Sequence, residues 1–80
     1  MQEHKKFNFD ALETLVSLAG SPRKLAQDMY DYMGESGIVS TTSIRRYSIK
    51  KQHPGHEIVE RFIAYAHRIG QQELEFYIIP

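Results

Sequence analysis

Gly37-Ile38-Val39-Ser40-Thr41-Thr42-Ser43-Ile44-Arg45-Arg46-Tyr47 is the stretch whose reading decides the fold. It reads as a tight entry followed by a short helix over about residues 41–50, with Ser40 placed to cap the free amides of the first turn. Ile44 and Tyr47 lie three apart and share one face of that helix. At about 100° per residue, Thr42, Arg46 and Ile49 point the opposite way, flanked by Ser43, Arg45 and Lys50. So thin an apolar underside makes a poor self-contained helix, because helical stability comes mostly from packing. It suits a helix propped up by its neighbours and pushed into a groove. Arginine brings paired donors that match phosphate or guanine, and the hydroxyls donate or accept.

Length and composition bound what surrounds this helix. Eighty residues make one domain, 1–80, with a single modest core. Hydrophobic residues are 41% and charged residues 25%, an ordinary globular balance. There is no cysteine, so neither a disulfide framework nor a thiolate metal site is available, and a reducing cytoplasm is the expected home. No apolar run approaches the roughly 20 residues needed to cross a membrane, and the N-terminus lacks the apolar stretch of a secretion signal. Ten Lys+Arg balance ten Asp+Glu, which is not the excess expected of many nucleic-acid binders. The charges are unevenly placed, however. Arg45, Arg46, Lys50 and Lys51 cluster, while acids gather at Asp10 and Glu13, at Asp28, Asp31 and Glu35, and at Glu57, Glu60, Glu73 and Glu75. A neutral domain so polarised presents one positive face. Weak, salt-sensitive binding by a monomer favours a dimer.

Working outward, residues 1–8 form an N-terminal arm, polar and basic at Lys5 and Lys6, with Phe7 in it and Phe9 just after it as anchors; the arm either hangs loose or its Phe pair closes over the core. Asp10 and Glu13 resemble a capping box, and Leu12, Leu15, Val16 and Ala19 predict a helix over about 10–19, stopped by Gly20. Ser21-Pro22 caps and opens a second helix, with an apolar stripe of Leu25, Ala26, Met29, Tyr30 and Met33 running to Gly34. Glu35-Ser36-Gly37 is a connector. Beyond Lys50-Lys51-Gln52-His53-Pro54-Gly55, a helix starting at Pro54 or His56 carries Ile58, Val59, Phe62, Ile63, Ala66 and Ile69, closed by Gly70. This is the best amphipathic face in the chain and is expected to supply most of the core, at about 1.5–3 kcal/mol per fully buried large side chain. In the tail, 71–80, the apolar run Phe76-Tyr77-Ile78-Ile79 must be covered. It either packs back onto the first helix or pairs, as a strand or arm, with a second copy.

From Pro22 to about Ala66 the chain resembles the helix-turn-helix of the lambda-repressor-like superfamily, the phage repressor and Cro group. The residues that carry the resemblance are Arg23-Lys24-Leu25-Ala26, with alanine where the motif's first helix is approached closely, and Val39 to Tyr47, followed by a proline-headed helix. The resemblance implies a compact all-α fold of four or five helices and sequence-specific operator binding, usually as a dimer; a C-terminal strand or arm is what the apolar tail would add. Eighteen positions separate Ala26 from Ile44, more than in the family's commonest pattern, so the first motif helix or its turn is extended here.

Two function classes follow. In the first, the chain is a transcriptional regulator or repressor of phage or prokaryotic type. A homodimer places two copies of the 41–50 helix in successive major grooves of double-stranded DNA, about 34 Å apart. Thr41, Thr42, Arg45 and Arg46 are the expected base contacts, and Arg23, Lys24, Ser43, Lys50 and Lys51 the phosphate contacts. Phe76, Tyr77, Ile78 and Ile79 are the expected dimer or partner contacts. In the second, the chain is a protein-interaction module, antitoxin-like or a phage-encoded inhibitor, using the same fold and its apolar tail without DNA; neutral net charge favours it. The bland reading of the Arg/Lys cluster is a solvated face. His53 and His56, with His67 beyond, lack a third ligand cluster; His53 reads better as a helix cap or a surface residue. The tyrosines read as core and rim rather than as a stacking platform. No nucleophile motif, phosphate-cradling loop or metal pair is present, so no enzyme activity, cofactor, metal or small-molecule substrate is expected.

Overall fold

The structure is a computed structural model and describes residues 6–78. Asn8, not Asp10, opens the first helix. Its Oδ1 accepts from the Asp10 amide at 3.1 Å, so α1 runs Phe9–Ala19 with Asp10 inside its first turn rather than capping it. Gly20 ends the helix at a φ of 111°. Ser21 then caps α2, Pro22–Met33, by accepting from the Lys24 amide at 3.1 Å. Proline sits at its first position, as the sequence predicts.

The connector that follows α2 is a 3₁₀ turn, Gly34–Gly37. Gly37 is its buried residue. A Cβ there would stand 2.7 Å from the Met29 carbonyl oxygen and 2.6 Å from Met33 Cε. The backbone passes so close to α2 that only glycine fits without displacing it. Arg61, from the last helix, donates to the Ile38 carbonyl just beyond and ties down the approach to α3, Thr41–Ser48. The last helix, α4, runs His56–Arg68 with Gly55 as its N-cap and no side-chain cap. His53 is therefore no cap; its ring meets Phe9 edge-on at 5.2 Å.

Helix α2 is the hub, packing on α1, α3, α4 and the 3₁₀ turn. The fully buried set is Leu12, Leu15, Leu25, Met29, Ile44, Val59 and Phe62. Each helix contributes, and α4 adds Tyr65 and Ala66. Tyr30, expected on the apolar stripe of α2, is instead exposed. Burial pushes the Tyr65 phenol up to about 12, assisted by the nearby Asp28 carboxylate, which the hydroxyl faces at 3.5 Å.

The two ends of the described chain meet. β1 (Lys6–Phe7) pairs antiparallel with β2 (Tyr77–Ile78), in the register Lys6 to Ile78 and Phe7 to Tyr77. Asn8 fastens the junction: its backbone amide donates to the Phe76 carbonyl at 2.9 Å and its Nδ2 to the Glu75 carbonyl at 2.7 Å. Phe7 is buried and Phe9 half-buried, so the pair closes over the core rather than hanging loose. Among the described residues the architecture is thus four α-helices with a small two-stranded sheet. Among the described residues no helix is long and apolar enough to cross a membrane.

Candidate nucleic-acid interface

Ser40 adopts extended backbone (φ −68°, ψ 153°) and its Oγ accepts from the Ser43 amide at 3.1 Å. Its hydroxyl in turn donates to Ser43 Oγ at 2.9 Å. This fixes where α3 begins, and with it which side faces out. Ser40→Ala is expected to destabilise the domain by about 1 kcal/mol, the usual cost of a lost cap, read as a lower urea midpoint. An unchanged midpoint would mean that packing alone sets the start of the helix.

Ile44 is wholly buried and Tyr47 half-buried, its ring edge-on to Phe62 at 6.4 Å. With that side turned inward, Thr42, Arg45, Arg46 and Lys50 are exposed and line one shallow depression. Among the described residues, Arg45, Arg46 and Lys50 enter no ion pair with the chain's own carboxylates. Both arginines lie in the last turn of α3, where cations suit the helix dipole.

The other expected contacts are placed less simply. Thr41 is half-buried at the helix start, and Ser43, also half-buried, gives its oxygen to the cap. The helix ends at Ser48 instead of near Lys50, and Ser48 Oγ donates to the Ile44 carbonyl at 2.8 Å. Lys50 and Lys51 therefore follow the helix, and Lys51 takes a positive φ of 57°. Its ammonium is turned toward α1, 3.4 Å from Glu13 and 5.5 Å from the Phe9 ring centre. In this arrangement Lys51 is spent on the chain's own surface. Arg23 and Lys24 are exposed in the first turn of α2. A groove lined by Gly20, Pro22, Ser48 and Ile49 sets that turn across from the end of α3, though Glu13 lines the groove as well.

The tail departs most from expectation. Phe76, named as a partner contact, is 3% exposed and stacks on Phe62 at 6.3 Å between ring centres. Packing against the core takes it off any surface offered to a partner. Tyr77 is half-buried with its hydroxyl 3.1 Å from His56 Nδ1, Ile78 is exposed, and Ile79 lies outside the described residues, as does Lys5. Two residues were not in the expected site set. Ile49 is exposed beside Arg46, and its spacing from Thr42 already put it on that side. Arg61 positions the approach to α3 through a backbone contact that no spacing rule marks. Compared with known proteins, the chain matches no family model, no curated protein and no solved structure.

Proposed function

We propose that this chain binds double-stranded DNA sequence-specifically, as a lambda-repressor-like helix-turn-helix domain in which α2 and α3 form the motif. It acts as a dimeric transcriptional regulator, blocking a promoter by occupying it. The observation that carries the reading is the open face of Thr42, Arg45, Arg46 and Lys50, set over a buried Ile44, whose three cations make no ion pair with an acid among the described residues. Arg45 and Arg46 offer bidentate donors to guanine, Thr42 a hydroxyl to either class of base. Arg23, Lys24 and Lys50 bind phosphates and set the register without specifying sequence.

Net neutrality supports the alternative, a protein-interaction module. The inward turn of Phe76 removes part of the apolar tail on which that alternative also relied. Selection of bound sequences from a random duplex pool, followed by a salt titration on the winner, separates the two. For a dimer making about six phosphate contacts, log affinity against log salt is expected to fall with a slope of roughly −5. Absence of any enriched sequence, with no duplex bound at low salt, would transfer the case to the interaction module.

A further inference from the structure

Ile49 is 68% exposed, the highest value among the exposed large hydrophobic residues of the described chain. A lone exposed apolar side chain is ordinary; its setting here is not. Ile49 keeps helical backbone angles (φ −92°, ψ −47°), and its amide donates to the Arg45 carbonyl at 2.8 Å. It therefore continues the course of α3, three residues beyond Arg46 and seven beyond Thr42, on their side. The core does not use it, because Ile44 and Tyr47 supply the inward contacts of α3. Through the groove it shares with Gly20 and Pro22, it is flanked by the turn that carries Arg23 and Lys24.

We propose that Ile49 is a specificity-determining residue that reads the C5-methyl group of a thymine; the proposal rests on the DNA-binding reading above. Thr42, Arg45 and Arg46 recognise acceptors and donors on base edges. The apolar feature that a base pair displays in the major groove is the thymine methyl, and an exposed isoleucine on the same side of the helix course, lining the neighbouring groove, is its match. The β-branched side chain has few χ1 states to lose when it is ordered, so the contact costs little entropy.

The test uses the duplex recovered from the random pool, with each thymine replaced in turn by deoxyuracil, which removes only the methyl group. At one thymine in each half-site, wild-type affinity is expected to fall about fourfold, the worth of one methyl-sized apolar group. Ile49→Ala is expected to bind the thymine and uracil duplexes equally, with the wild-type salt slope and melting temperature. The proposal is overturned if the wild type still prefers the selected sequence yet ignores every uracil replacement, if Ile49→Ala keeps the discrimination, or if the selected half-site holds no thymine. Should no duplex be bound at all, the parent reading falls first and takes this one with it.

Discussion

Replacing Arg45 and Arg46 together by alanine is expected to weaken binding to the preferred duplex by roughly 2–6 kcal/mol, at about 1–3 kcal/mol for each arginine that reads a base. Even the low end is about thirtyfold in affinity. The fold is expected to survive. Both side chains are exposed and make no ion pair among the described residues, and such surface changes stay within about 0.5 kcal/mol. The distinguishing result is the pattern over sequences rather than the loss itself. A base-reading pair, once removed, brings the preferred duplex down toward the level of a scrambled one. Cations that only meet phosphate lower both together and flatten the salt slope. Paired titrations of the double variant on the two duplexes decide between these. If both affinities fall in parallel, Arg45 and Arg46 are positioning contacts, and sequence must be read elsewhere on the chain.

Much of the frame behind this face is legible in the sequence because it rests on local rules. Ser40 and Ser21 announce helix starts through side-chain oxygens that reach their own third following amide, and a short-range bond of that kind needs no knowledge of the fold. Ile44, Val59, Phe62 and Leu25 announce themselves by spacing. The misplacements are non-local. Asn8 displaces Asp10 as the first cap because it also holds the Glu75 carbonyl, 67 positions away. Tyr30 leaves the apolar stripe because the neighbours around α2 do not extend to its side, and spacing alone does not reveal where a neighbour stops.

The site divides along the same line. Which side of α3 faces out follows from Ile44 and Tyr47, so Thr42, Arg45 and Arg46 were readable. Lys51 was not, since its direction depends on Glu13 from a distant helix and on a positive φ that no lysine advertises. Nor was the fate of Phe76. A run of apolar residues at a chain end states that something must cover it, without saying whether the cover is a partner or the chain's own Phe62. Neutral net charge looks different in this light too. Glu13, which lines the groove, also holds Lys51 and so lowers the count of free cations near α3; under the DNA-binding proposal, base-edge contacts would then supply a larger share of affinity than in a strongly basic domain.

Phe62→Ala is expected to be the most damaging single change to the fold, costing about 3–5 kcal/mol. Phe62 has no exposed surface and sits where three parts of the molecule converge. Tyr47 of α3 lies edge-on at 6.4 Å, Phe76 stacks at 6.3 Å and Phe7 lies at 6.5 Å. One truncation therefore removes the backing of α3 and the anchor of both strands. At about 0.05–0.15 kcal/mol per residue, a chain of 80 residues holds roughly 4–12 kcal/mol of net stability, so the loss is a large share of the whole. In thermal unfolding each kcal/mol corresponds to about 4–8 °C in a domain of this size, and the variant should melt far below the parent. Because Phe62 is wholly buried and is not among the residues that line the exposed face of α3, any loss of duplex binding should track the unfolded fraction and be recovered on cooling. A small drop in melting temperature, near that of a surface change, would mean that α4 is not the element against which α3 and the termini are packed.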